Sequence, residues 1–236
     1  MATYLLNPNC QVQLIQVGQE KTPVLIIDDF MLGLDQLTAN INQSAKFTDA
    51  NDSNYAGVRA PIDSDYLDSV LPEIVPIFYQ VFRVPQQLNL SLKTARYSLL
   101  TKDANQLNTL QRWPHFDSYE PGYFAVMHYI NEGNFEGTGF YRHRETNKEN
   151  ILNEQQAHDY MLALQNWVDK YGEPEANYTN GGNTVYERIG TIEYKPNRFV
   201  IYPGSLLHSP IATHTSHLSD DPQHGRLTAN LFINFE

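Results

Sequence analysis

The pattern of apolar and polar positions changes its period along the chain. Residues 11–17 (QVQLIQV) alternate, as a half-buried strand does, and Val24 to Ile27 form a short buried run ended by Asp28 and Asp29. Leu34, Leu37, Ile41 and Ala45 then recur at spacings of three and four, which predicts an amphipathic helix. A second helix is expected over roughly 66–82, where Leu67, Val70, Leu71, Ile74, Phe78 and Val81 are apolar. Pro72 and Pro76 should shorten or bend it.

From about residue 88 the period becomes that of strands. LNLSLKTARYSLL, YFAVMHYIN, GTGFYRH, TIEYK, RFVIYP and RLTANLFINF are short runs rich in Tyr, Phe, Val, Ile and Thr. Glu120-Pro121-Gly122, Asn131-Glu132-Gly133 and Pro203-Gly204 supply turn signals between them. The pattern predicts a mainly β chain with flanking helices, its strands in an antiparallel sandwich or barrel. One helix interrupts it at 153–171, with Ala157, Tyr160, Met161, Leu164, Trp167, Val168 and Tyr171 on one face. Asn153 suits its N-cap, Gln156 the capping box and Gly172 the C-terminal stop. As an insertion between strands, this helix could serve as a lid, a homodimer surface or outer packing.

Composition narrows the class. With 41% hydrophobic and 18% charged residues in 236, the chain can bury a core, and a single domain is expected. The net charge of −11, without a basic stripe, argues against a nucleic-acid partner. Cys10 is the only cysteine, so no internal disulfide can form and a reducing compartment fits. The start lacks the basic and apolar regions of a signal peptide, and no apolar run reaches the ~20 residues of a membrane span. A cytoplasmic protein with no membrane partner is the expectation.

The chemistry starts from His115-Phe116-Asp117. An H-x-D is common by chance, so alone it decides nothing. In an extended segment residues i and i+2 point the same way, so an imidazole and a carboxylate could face one point. Two histidines and one carboxylate bind non-haem Fe(II) and leave coordination positions open, which calls for a third ligand from another strand. His128 lies mid-strand on the opposite face from Met127 and Tyr129, His158 is on the inserted helix, and His214, His217 and His224 fall in a polar loop. His208, after a strand and a Pro-Gly turn, is the best placed. His143-Arg144-Glu145 offers a rival pair, but in a charged run that reads as solvated. Downstream, Arg226 and Thr228 share a face at the start of the last strand, an arrangement suited to a carboxylate. The plainer reading is a barrel-end arginine paired with a local Asp or Glu.

H-x-D, a distal histidine at a strand start and R-x-T on the last strand, in that order, resemble the Fe(II)/2-oxoglutarate-dependent oxygenase superfamily. The flanks are most similar to its prolyl-hydroxylase-like branch. PVLIIDDFMLGLDQL (23–37), ARYSLL (95–100), HYIN (128–131), GTGFY (137–141) and RFVIYPGSLLHSP (198–210) fall in matching order. The resemblance implies a double-stranded β-helix (jelly-roll, cupin-like) core over 89–236, with a helical insertion at about 142–184 and a supporting region at 1–88. It implies that His115, Asp117 and His208 ligate Fe(II), and that Arg226, Thr228 and Tyr129 or Tyr97 hold 2-oxoglutarate, with O2 as co-reactant. Asp117, where halogenases of the superfamily carry a small residue, implies a hydroxylase. Its substrate would be a small molecule, an amino acid or a peptide. Two alternatives stand beside it: a cupin-like metal protein without 2-oxoglutarate chemistry, and a catalytically silent binding module. The long stretch between His208 and Arg226 and the large insertion depart from the branch.

Overall fold

A computed structural model describes residues 4–50, 54–214 and 218–236. The first part of the chain contributes β1 (Leu5–Leu6), β2 (Gln11–Val17), β3 (Thr22–Asp28), β4 (Met31–Leu32), α1 (Leu34–Ser44), β5 (Thr48–Asp49), β6 (Gly57–Pro61) and α2 (Ser64–Gln80). The strand-rich remainder contains β7 (Leu90–Leu100), β8 (Tyr123–Tyr129), β9 (Thr138–His143), α3 (Glu154–Tyr171), β10 (Tyr186–Ile192), β11 (Arg198–Pro203), β12 (His208–Pro210) and β13 (Leu227–Phe235). The fold is mainly β, a jelly-roll core with helices against it. An eight-stranded antiparallel sheet runs β2-β3-β11-β8-β13-β7-β6-β5, and a three-stranded sheet runs β10-β9-β12.

The large sheet buries both faces. On β13, Leu227, Ala229, Leu231 and Ile233 point toward α1 and α2, where they meet Leu37, Ile41, Tyr66, Val70, Ile74 and Phe78. Each such fully buried aliphatic or aromatic side chain contributes about 1.5–3 kcal/mol. The opposite face presents Ala125, Met127, Tyr129, Val200 and Tyr202 to Phe140 and Ile192 of the small sheet. The site opens between these two sheets.

Four local expectations need correction. β2 is an edge strand with Val12 and Leu14 exposed, not a half-buried one, because it pairs with β3 alone. α2 runs through Pro72 and Pro76 without being shortened. Both prolines are exposed, and at spacing i, i+4 they share the solvent side, where water can satisfy the carbonyls they release. The strand expected at TIEYK instead spans Tyr186–Ile192, since its pairing with β9 begins at Tyr186 opposite His143 and ends at Ile192 opposite Thr138. On α3, Asn153 caps the helix by accepting from the Gln156 amide, but the Gln156 side chain takes the amide of Leu152 rather than closing a capping box. Tyr160 and Leu164 of that helix pack on Trp113, Ile151 and Tyr186, while Met161 and Tyr171 remain exposed. Among the described residues no helix is long and apolar enough to cross a membrane.

Candidate metal centre

Backbone pairing brings His115 and His208 opposite each other. The amide of His115 donates to the His208 carbonyl at 2.9 Å, and the amide of His208 returns the bond at 2.8 Å. Directly paired residues of an antiparallel ladder direct their side chains to one side, and the two rings stand 4.4 Å apart between centroids. Two residues on, the Asp117 amide donates to the Gly204 carbonyl at 2.7 Å, which ties the H-x-D segment to the turn before β12. Gly204 is needed there: a Cβ would lie 2.6 Å from the Tyr123 ring and 3.4 Å from Asp117 Cβ.

The three side chains converge. His115 Nε2 is 3.8 Å from Asp117 Oδ1, and His208 Nε2 is 3.6 Å from Asp117 Oδ2. One ligand atom from each lies within 4.8 Å of the others, the one such cluster of three among the described residues. The Nδ1 of His208 meets the Leu206 carbonyl at 2.8 Å, and a carbonyl only accepts. In the neutral ring the proton therefore sits on Nδ1 and the bare Nε2 faces the carboxylate. Asp117 Oδ2 is buried without a hydrogen-bond partner. Two acceptors facing each other, one of them a buried orphan, fit a cation between them.

The electrostatics agree. Burial pushes the Asp117 carboxyl above its usual range, against the opposing positive fields of His208 and Arg59. Desolvation, with His208 and Arg59 adding to it, holds His115 well below the ordinary histidine range. The His115 side chain is 53% exposed, so that desolvation is the effect of a recess rather than of a closed core. A recess that resists charge on its own ligands offers a neutral imidazole to a metal, and a divalent ion would in turn favour the carboxylate.

The cluster opens into a cavity of about 410 Å³, whose wall also contains Arg226, Thr228, Thr138, Met127 and Asn230. Arg226 is 3% exposed, and its Nε and Nη2 donate to the carbonyls of Glu136 and Gly137 at 2.9 and 3.0 Å. Gly137 is required there, because a Cβ would collide with the Ile192 carbonyl. Among the described residues no carboxylate forms an ion pair with Arg226, so none of them is the local Asp or Glu partner of the plainer reading. A buried guanidinium with no anionic side chain beside it among the described residues suits an anionic ligand.

The other candidates divide. The Tyr129 ring lies 5.4 Å from the Arg226 guanidinium, and its hydroxyl is bonded to Thr138 at 2.9 Å, so it supports the arginine from behind the cavity wall. Tyr97 is not at the site. It pairs with Ala229, on the face toward α2, and its hydroxyl donates to Asp63 at 2.7 Å. His128 is buried between Tyr66 and Asn197, as its strand face predicts. His143 is buried against Tyr160 and Tyr186 rather than solvated, because α3 folds over it, and it joins no cluster. His158 is exposed on α3, and His224 forms an exposed pair with Asp221. His217 lies outside the described residues, and His214 belongs to no described cluster. Motif order overlooks Tyr55 and Arg59, which line the cavity from the β5–β6 region.

The fold defines the class first: this is a mainly β jelly-roll protein. HygX from Streptomyces hygroscopicus, with nickel and 2-oxoglutarate bound, is similar in fold with a TM-score of 0.52. It shares 13% identity over 91% of this chain and 84% of its own. An N-substituted L-amino acid dioxygenase from Burkholderia ambifaria AMMD aligns more loosely, with a TM-score of 0.42 and 13% identity over 100% of this chain and 95% of its own. No curated protein matches the sequence. The profile of a family of unknown function (DUF6445) matches residues 8–233, and the chain belongs to that family.

Proposed function

We propose that this protein is a non-haem Fe(II)- and 2-oxoglutarate-dependent oxygenase of the hydroxylase type, related to the prolyl-hydroxylase-like branch, acting on a small molecule, an amino acid or a peptide. The observation that carries the reading is the pairing, in one cavity, of the His115–Asp117–His208 cluster with the buried Arg226. His115, Asp117 and His208 would hold the metal through two imidazoles and one carboxylate, leaving its remaining positions for ligands from the cavity. Fe(II) bound there with 2-oxoglutarate supplies oxidation of a C–H bond by O2, with 2-oxoglutarate converted to succinate and CO2.

The protein's own part is positioning. The Leu206 carbonyl fixes the His208 tautomer, and the paired backbones of His115 and His208 hold the two rings on one side. Arg226, clamped by two carbonyls, would take the far carboxylate of 2-oxoglutarate, with Thr228 on the same strand face beside it. The Tyr129–Thr138 hydroxyl pair stiffens the wall behind it. Met127, Ala125 and Phe232 line the cavity and limit water around the reacting groups.

Succinate formation from 2-oxoglutarate in air tests the reading. It should require added Fe(II), rise with a true substrate, and vanish in His208→Ala. Turnover that persists in that variant, or none in the Fe(II)-loaded wild type, would refute it.

A further inference from the structure

The cavity has two unlike sides. The side formed by the large sheet is polar, with Arg226 at the entry to β13 and Thr228 and Asn230 along it. The other side is built from the 110–116 segment, which leads into the metal cluster, and from α3, the helix inserted between β9 and β10. It presents Leu110, Trp113, Phe116, Met161 and Leu164 to the cavity.

The polar groups of this second side already have their partners within the protein. Gln111 uses both ends of its amide: Nε2 donates to the Tyr55 carbonyl at 3.1 Å, and Oε1 accepts from the Asn108 amide at 3.0 Å. The Tyr160 hydroxyl donates to the Pro114 carbonyl at 2.7 Å and accepts from the Tyr186 hydroxyl at 2.7 Å. Arg59 of β6, the other arginine of the cavity, stacks on Tyr55 with its guanidinium carbon 4.3 Å from the ring centre and is likewise engaged. A polar group whose bonds are made gains little from a ligand's polar atoms. What this side offers a ligand is hydrocarbon.

The backing of this wall is fixed. Trp113 and Leu164 are buried in one cluster with Ile151 and Tyr186, and the Phe116 ring meets that of Tyr160 edge to face at 6.1 Å. Leu110 and Met161 differ from them, since they line the cavity and are still 44% and 45% exposed. Leu162, the next residue on α3, is 49% exposed but does not line the cavity. Wet apolar side chains on a rigid backing, in the cavity that contains the metal cluster, gain free energy when a ligand's hydrocarbon covers them.

We infer that α3 and the 110–116 segment select a prime substrate with an uncharged alkyl or aryl body, and that Leu110 and Met161 determine this specificity at the mouth of the cavity. The inference rests on the oxygenase reading above and adds the substrate class to it.

Three compounds test it: pentanamide, heptanamide, and 6-aminohexanamide, which is heptanamide with its terminal methyl replaced by an ammonium. Each is titrated calorimetrically into anaerobic protein loaded with Fe(II) and 2-oxoglutarate. Burying two more methylenes should make heptanamide bind about tenfold more tightly than pentanamide. 6-Aminohexanamide should bind more weakly than either, because its ammonium would meet a wall with no anionic group. Leu110→Gln combined with Met161→Gln should cut the gain from pentanamide to heptanamide to about threefold or less. Leu162→Gln, the same kind of change outside the cavity, should keep it. Equal affinity for pentanamide and heptanamide, no saturable binding of heptanamide, 6-aminohexanamide binding as tightly as heptanamide, or a gain that survives the double variant or falls equally in Leu162→Gln would overturn the assignment. Protein that loads neither Fe(II) nor 2-oxoglutarate would overturn the oxygenase reading itself and this inference with it, so the two failures are distinguishable.

Discussion

Replacing Asp117 by asparagine should change stability with a sign that depends on the metal. Without metal, Asp117 Oδ2 is a buried acceptor with no donor, facing the bare Nε2 of His208 at 3.6 Å. An unsatisfied buried polar atom costs about 1–3 kcal/mol. The asparagine amide removes the buried charge and offers an N–H to that imidazole, while the backbone bond from residue 117 to Gly204 is kept. The metal-free variant should therefore be more stable than wild type by roughly 1–2 kcal/mol, which raises Tm by about 2–8 °C in a chain of this size. Fe(II) at a hundred times its Kd stabilises the wild type by about 2.7 kcal/mol, and the variant, lacking the anionic ligand, should lose most of that gain. The order of the two melting temperatures inverts on adding metal. Anaerobic calorimetry with a chelator and then with Fe(II) measures both limits. If the variant melts lower than wild type in chelator, or responds equally to Fe(II), Asp117 is an ordinary core residue and the reasoning fails.

Three further outcomes are expected. Burial depresses His128 and His143 to about 4, so the unfolded state takes up their protons first as pH falls. Each contributes about 3 kcal/mol that is fully present above pH ~6.5 and lost as pH falls toward ~4; urea unfolding across that window should show it, His143→Gln should remove about one proton from the slope, and an unchanged slope would count against the burial argument. Arg226→Ala should weaken 2-oxoglutarate binding by about ten- to a hundredfold while leaving Fe(II) affinity nearly intact; equal losses in equilibrium dialysis would mark Arg226 as structural. Pro76→Ala, on the exposed side of α2, restores a helical amide and should stabilise by about 1–2 kcal/mol after the entropy gained by the unfolded chain is allowed for, whereas destabilisation in urea would show that the proline shapes the helix.

The sequence carried the strands wherever alternation was long and both faces were buried, as in β8, β11 and β13. Motif order singles out His115, Asp117, His208 and Arg226, which line one cavity, because each falls beside a turn or strand end that the sequence marks. Tyr97 was misplaced because alternation states that neighbours face opposite ways, not which face looks at the site. Only the pairing of Ser98 with Thr228 and of Tyr97 with Ala229 decides that. Arg59 was missed for a different reason. β6 is five residues long, too short for a clear period, and it reaches the cavity by adding to the edge of β7. Its one signal was an arginine between Val58 and Ala60 in a chain poor in basic residues. His143 was hidden by the charged residues that follow it, since its burial depends on α3 folding back over the small sheet.

We propose that His115, Asp117 and His208 hold Fe(II) in the cavity where Arg226 receives 2-oxoglutarate. Anaerobic titration of Fe(II) into protein with 2-oxoglutarate, followed in the visible, addresses it most directly. The wild type should show the weak charge-transfer band of an iron-bound 2-oxoglutarate chelate, and His115→Ala should lose it. Absence of the band in the wild type, or its survival in His115→Ala, would rule out this metal centre.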